Sequence, residues 1–208
     1  MSQQTQKKTS KSVNLKKDEK ILVVKRKHLF NDGEWSGLKE VSFDNYLDII
    51  TTKQEFLWRS EMEENKNYKQ IIPYLVFTHK GKYFLMQRKS TSSEGRLSNK
   101  FSLGIGGHIR QEDIKSKSIF DWANREFHEE VEYHGNLSIK PLGILNDDSN
   151  SVGQVHIGFV FLLEGDTENI KIKSELKQGN LVPLGTCKKY LDRMETWSQI
   201  IVAFLLKQ

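Results

Sequence analysis

Of 208 residues only one is a cysteine, Cys187. No internal disulfide can form, and a lone thiol suits a reducing cytoplasm. Long apolar runs are also missing. The longest, residues 200–206, falls well short of the roughly 20 residues that a membrane helix needs, so no membrane association is expected. The N-terminus has no apolar stretch of the kind a secretory signal carries, and no internal repeat is visible. Excess charge of one sign is confined to the start of the chain. The net charge is +5, and Lys7, Lys8, Lys11, Lys16, Lys17 and Lys20 meet only Asp18 and Glu19 there. The nearly neutral remainder argues against a specific nucleic-acid-binding surface. Residues 1–18 therefore read as a disordered basic tail. Residues 19–208 read as one domain with enough chain for a sizeable core.

Apolar periodicity and turn residues order the rest. Residues 21–24 form a β-prone run, and Asp32 and Gly33 mark a turn. Ser42 can cap a helix over 43–53 with Phe43, Tyr46, Leu47 and Ile50 on one side. Residues 56–59 are ambiguous, and Arg59, Glu61, Glu63 and Glu64 suit surface ion pairs. Residues 70–78 are strongly β-prone, with Pro73 signalling a strand start, an edge or a bulge. A turn at 79–82 leads to a returning strand at 83–88, and Arg88 at its end is a candidate phosphate contact. Residues 90–99 are a polar loop. A strand at 138–145 ends in the polar cluster of Asn146, Asp147, Asp148 and Ser149. Residues 155–163 read as a central apolar strand with His156 near its start. Short strands are expected at 170–172 and 181–184. Helices are expected at 185–194 and 195–206, the second burying Trp197, Ile200, Ile201, Phe204 and Leu205.

The chemistry concentrates in residues 104–135. A short strand at 101–103 feeds Gly104, Gly106 and Gly107, and a helix is expected over 116–133. That helix carries Arg125, Glu126, Glu129 and Glu130 in the run REFHEEV. Positions 126, 129 and 130 are i, i+3 and i+4, so three carboxylates share one face. Such a triplet alone is usually a solvated acidic face. A glycine turn and an arginine beside it point instead to a hard cation, Mg²⁺ or Mn²⁺, in an all-oxygen site. Phe127 and Val131 face away and should pack on the sheet. A carbonyl of the turn can add a ligand. His108 reads as support for the turn, and His156 reads as structural more readily than as a substrate contact.

Together these parts resemble the signature of the Nudix hydrolases, G-x5-E-x7-R-E-U-x-E-E-x-G-U, where U is bulky and apolar. Arg125, Glu126, Phe127, Glu129, Glu130 and Tyr133 stand at matching positions. Two positions depart. Four extra residues separate Gly107 from Arg125, with Asp113 at the expected glutamate offset and Glu112 beside it. Glu132 replaces the glycine that closes the helix, and Gly135 is expected to provide a left-handed cap about a turn later. The chain after the tail also looks like the predicted MutT-like phosphoesterase subgroup. The stretches that carry this likeness are ILVVKRKHLF, KQIIPYLVF, YFLMQR, SLGIGGHI, LGILNDDSNSVGQVHIGFVF and ETWSQ.

The resemblance implies an α/β (α+β) fold, an α/β/α sandwich with a mixed β-sheet. It divides the domain into an N-terminal extension (19–67), a core (68–184) and C-terminal helices (185–208). It implies hydrolysis of a phosphoanhydride, a nucleoside diphosphate linked to another moiety, by water attacking phosphorus. Carried over by position, Glu126, Glu129 and Glu130 with a glycine carbonyl, Gly107, would hold Mg²⁺ or Mn²⁺. Arg125 would orient a carboxylate. Arg88, Asp147, Asp148 and His156 are candidate substrate contacts. Glu126, or a loop acid among Asp147, Asp148 and Glu112, would serve as base. The partner would be a small phosphorylated, nucleotide-derived molecule, and the family often forms homodimers. Two alternatives stay open: a catalytically weakened nucleotide-binding or sensor protein on the same fold, and an isopentenyl-diphosphate-isomerase-like enzyme. The second needs a cysteine near the site, whereas Cys187 begins a C-terminal helix.

Overall fold

The computed structural model describes residues 18–88, 99–115, 118–173 and 176–208, with the side chains of residues 88, 114, 115 and 176 outside that description. The expected tail up to residue 17 and nearly all of the expected 90–99 loop lie outside the described residues. In chain order, β1 (Lys20–Lys25) runs into α1 (Arg26–Leu29), β2 (Gly37–Lys39) and α2 (Asp44–Lys53). Ser42 accepts the Asp44 amide at 3.2 Å, but it stands one residue before the N-cap, Phe43, which makes no side-chain cap, so the expected capping by Ser42 is not what starts the helix. The ambiguous stretch becomes β3 (Gln54–Trp58), then α3 (Arg59–Met62), the long β4 (Tyr68–His79) and β5 (Lys82–Arg88). β6 (Phe101–Ser102) and β7 (Gly104–Gly106) lead through a 3-10 turn (Gln111–Lys115) to α4 (Ile119–Glu130). β8 (Val131–Glu132), β9 (Leu137–Asn146), α5 (Ser151–Val155) and β10 (His156–Gly165) follow. The chain closes with β11 (Lys171–Ile172), β12 (Leu176–Pro183), α6 (Leu184–Lys188), a 3-10 turn (Leu191–Arg193) and α7 (Thr196–Leu205).

β4 is the spine of a mixed sheet ordered β12-β5-β4-β10-β9-β2. On one edge it pairs in parallel with β10, from Gln70 opposite His156 to Thr78 opposite Glu164. Its other edge is shared by three strands: β1 over residues 68–70, β7 over 74–76 and β5 over 78–79. Pro73 stands between the stretches that pair β1 and β7, where its missing N–H costs that edge no ladder bond. Side-chain alternation then splits the core. Ile71, Leu75 and Phe77 pack with Trp122 and Phe127 of α4 and Ile50 of α2. Ile72, Tyr74 and Val76 pack with Trp197, Ile201 and Val202 of α7. Helices cover both faces, so the fold is the expected α/β/α sandwich with a mixed sheet. Among the described residues, no helix is long and apolar enough to cross a membrane.

Three elements differ from expectation. α4 starts at Ile119, where Ser118 accepts the Phe120 amide, and ends at Glu130. Val131 turns extended at once (φ −131°, ψ 153°) and enters β8, which pairs with β11. A left-handed cap at Gly135 is therefore not used. Gly135 serves close packing instead: a Cβ there would lie 2.2 Å from Asp166 Oδ1. The expected 185–194 helix breaks into α6 and a 3-10 turn, and β12 begins before the expected 181–184 strand.

A buried polar cluster fastens α7 to the corner between β6 and β7. The Tyr74 hydroxyl donates to the Glu195 carboxylate. The hydroxyls of Ser102 and Ser198 lie 3.0 and 2.9 Å from the same oxygen, and Ser198 accepts the Leu103 amide at 2.7 Å. Glu195 is 7% exposed, so removing it strands buried hydroxyls. Glu195→Ala should cost about 2–3 kcal/mol of stability in urea unfolding. Glu195→Gln, which keeps an acceptor oxygen, should cost clearly less. Equal losses in both variants would contradict the hydrogen-bond account.

Candidate active site

β7 lies against residues 74–76 of β4, and the chain continues through Gly107 to zip onto β1. There the Leu22 amide donates to the Ile109 carbonyl at 2.8 Å. α4 packs beside this turn because Phe127 is fully buried and stacks on Phe77, with ring centroids 5.8 Å apart. With Phe127 fixed inward, Glu126 sits at the seam between helix and turn, 7% exposed. A Cβ on Gly107 would stand 1.9 Å from Glu126 Oε1. Any larger residue at 107 would therefore have to push the Glu126 carboxylate from its place.

Burial, and then the nearby charges of Glu129 and Glu130, push the Glu126 carboxyl up to about 7, against the pull of Arg125 and Arg110. Arg125 is the hub of the face. Its guanidinium pairs with Glu129, meets Asp113 Oδ2 at 3.0 Å and lies 3.7 Å from Glu126 Oε2. It also donates to the His108 carbonyl at 3.4 Å, while its buried Nε has no hydrogen-bond partner among the described residues. Asp113, at the offset where the signature has glutamate, thus grips the arginine, and it also accepts the Arg110 amide at 2.8 Å. Glu112 is exposed and only 3.8 Å from Arg110. Glu130 is half-buried.

These residues fit a hard divalent cation. Glu126 is a buried carboxylate with raised proton affinity, pressed on glycine backbone. Two more carboxylates share its helix face, and no thiol or imidazole belongs to the set.

The other candidates scatter. Arg88 closes β5 opposite Leu176, and its side chain is outside the described residues. Asp148 is held by Arg26 and, at 2.8 Å, by the fully buried Lys69. Burial alone would raise its pKa, yet hydrogen bonds from Arg26, Lys69 and Asn146 hold it well below the usual carboxylate range. Asp147 accepts from the Ser149 amide and from Asn150, which ties its own loop. Neither aspartate has α4 residues among these partners. His156 instead meets His108, with Nε2 atoms 3.3 Å apart. Glu63 completes a cluster whose ligand-type atoms all lie within 4.8 Å of one another. No local spacing could have flagged it, because residues 63, 108 and 156 meet only through the sheet register.

No family model matches the chain. It is 34% identical to Protein YmaB of Bacillus subtilis (strain 168) over 206 residues, covering 91% of this chain and 98% of YmaB. Among solved structures, Tm1382, assigned to the Nudix hydrolases, is 30% identical, with 91% of this chain and 99% of Tm1382 covered and a TM-score of 0.76. The chain belongs to the Nudix hydrolase family. A likeness of fold alone extends to the NUDIX domain of Shewanella oneidensis NrtR, solved with ADP ribose. That domain is 14% identical, with 67% of this chain and 87% of it covered at a TM-score of 0.54.

Within this Nudix protein the four-residue insertion falls in and after the 3-10 turn, so it leaves the approach of α4 to Gly107 intact. A buried acid poised near neutrality also has a measurable consequence. Glu126 titrates near 4.5 in an unfolded chain and near 7 when folded. Below pH 4.5 it is protonated in both states. As pH rises toward 7 the unfolded chain ionises first, so stability falls, and it levels off above 7. In EDTA-treated protein, Glu126→Gln should match the parent near pH 4.5. It should exceed the parent by about 2–3 kcal/mol above pH 7. Denaturant melts across that range test this, and parallel profiles at every pH would refute it.

Proposed function

We propose that the protein hydrolyses a phosphoanhydride in a small nucleotide-derived molecule, using Mg²⁺ or Mn²⁺ held by Glu126, Glu129, Glu130 and the Gly107 carbonyl. The observation that carries this reading is the Glu126 carboxylate. It is buried against Gly107 beside two further carboxylates, in a chain of the Nudix family. When bound, the cation would neutralise phosphate charge and lower the pKa of a water. Arg125, itself held by Asp113, keeps Glu129 in one orientation through a charge-assisted contact. Glu126, with its carboxyl near 7, is suited to accept a proton from water at neutral pH. Asp147 and Asp148 are engaged elsewhere, so they are weaker candidates for the base. Arg88 and His156 remain candidates for phosphate or substrate contact. A reducing, cytoplasmic setting suits the buried Cys187 thiol.

The departures from the signature favour a hydrolase over a weakened nucleotide-binding protein. The insertion is absorbed upstream of α4, and Glu132 lies exposed in β8, paired with Lys171. Neither displaces a carboxylate.

The test is a panel of nucleoside triphosphates, ADP-ribose, dinucleoside polyphosphates, nucleotide sugars and isopentenyl diphosphate, each with Mg²⁺ and with Mn²⁺. One class should be cleaved. Glu129→Gln should cut that turnover by about 100-fold or more, since it removes an interaction with charge that develops in the transition state. Its circular dichroism should be unchanged. Parental turnover in a folded Glu129→Gln protein would refute the assignment.

A further inference from the structure

We propose that Glu63, His108 and His156 form a second cation site, for a borderline transition-metal ion such as Zn²⁺, adjoining the carboxylate face but chemically distinct from it. The three come from the end of α3, the residue after Gly107 and the start of β10. Gln70 and His156 are partners in the β4–β10 register. Gln70 shares its strand face with Ile72 and Tyr74, the face covered by α7 rather than by α4.

The hydrogen bonds around His156 suit a metal. His156 Nδ1 lies 2.7 Å from the Val152 carbonyl. A carbonyl can only accept, so Nδ1 carries the proton and Nε2 presents its lone pair. That is the tautomer a ligating histidine needs, fixed as second-shell carbonyls usually fix it. The facing Nε2 of His108 is 3.3 Å away. A tetrahedral ion with metal–nitrogen bonds of about 2.05 Å separates two nitrogen ligands by about 3.3 Å.

Glu63 brings a carboxylate that Arg59 holds at 3.2 Å. Two imidazoles and one carboxylate are a donor set that selects Zn²⁺-like ions over Mg²⁺. Gln70 Nε2 donates to the Met62 carbonyl, so its Oε1 accepts from His108 Nε2 at 2.7 Å, and His108 has to lose that proton, or shift it to Nδ1, before Nε2 can ligate. With His108 ligating through Nε2, that oxygen would be free to accept from a water in the fourth position. Because the His108 carbonyl receives Arg125 and His108 follows Gly107, an ion here would also steady the turn on which Glu126 rests.

The experiment uses the full chain, stripped with EDTA and then titrated with Zn²⁺ against a chromophoric chelator, with excess Mg²⁺ present to occupy the carboxylate face. One zinc per chain is expected. His156→Asn keeps a donor for the Val152 carbonyl but removes Nε2, and it should weaken zinc binding at least about tenfold. Glu63→Gln, the milder second variant, should do the same, while Glu129→Gln, which removes no ligand, should weaken zinc binding far less than either. Co²⁺ in place of Zn²⁺ should give the intense visible bands of a tetrahedral site, absent in His156→Asn. Two results would overturn the site: no zinc bound by the parent, or zinc lost in Glu129→Gln yet retained in folded His156→Asn. Either result leaves the phosphoanhydride assay untouched, so the two readings fail separately.

Discussion

The candidate site depends on one tight approach, the Glu126 carboxylate against the backbone of Gly107. Burying a carboxylate is costly unless something positive or hydrogen-bonding meets it. Here the partial answer is Arg125, and the raised proton affinity of Glu126 measures how incomplete that answer is. The surroundings are arranged to keep the approach tight. Phe127 anchors the helix in the core, Asp113 and the His108 carbonyl hold Arg125, and the residues after Gly107 are zipped to β1. Structural economy would put an apolar residue at position 126. A buried acid kept at that position is better explained by chemistry than by packing.

β4 carries the geometry from the core to the site. Its even-numbered side chains bring Tyr74 to Glu195 and Gln70 to the two histidines, and its odd-numbered ones bring Lys69 to Asp148 and Phe77 to α4. Lys69 is fully buried and bonds both Asp148 and the Gly153 carbonyl, 2.7 Å away. Burial depresses its pKa, and the contact with Asp148 opposes that shift. Such a pair adds little net stability, yet breaking it by removing one partner is expensive, so it works as a lock on the loop before α5. That lock explains why the aspartates which look like substrate contacts in the sequence are occupied in the fold.

What the sequence reveals follows the range of each interaction. The carboxylate face of α4 is legible because it rests on helical spacing over five residues, and the hairpin of β4 and β5 because turn chemistry is local. The end of α4 is misread. Glycine is the usual way to stop a helix, but Val131, β-branched and drawn into β8 by β11, stops it by going extended. The engagement of Asp148 with Lys69 and Arg26, the cluster of Tyr74 with Glu195, and the meeting of Glu63, His108 and His156 are not legible at all. Each joins residues 45 or more positions apart, and only the parallel register of β4 and β10 and the packing of α7 bring them together.

The carboxylate face and the histidine cluster are also joined through charge. Glu63 pairs with Arg59, Arg59 with Glu19, Glu19 with Arg110, Arg110 with Glu129, and Glu129 with Arg125. Each link is partly exposed, and an isolated pair of that kind contributes about 0–1 kcal/mol. A row differs from an isolated pair, because each arginine is held from two sides and loses its freedom once for two contacts. Arg110 is the pivotal member: its backbone bridges to Ile21 of β1, its amide donates to Asp113 and its guanidinium spans Glu19 and Glu129. A change of charge at either end alters what the next arginine must balance. Through Arg110 it acts on the segment that carries both His108 and the glycine turn. The carboxylate face and the histidine cluster therefore form one electrostatic unit built on a four-residue stretch of backbone.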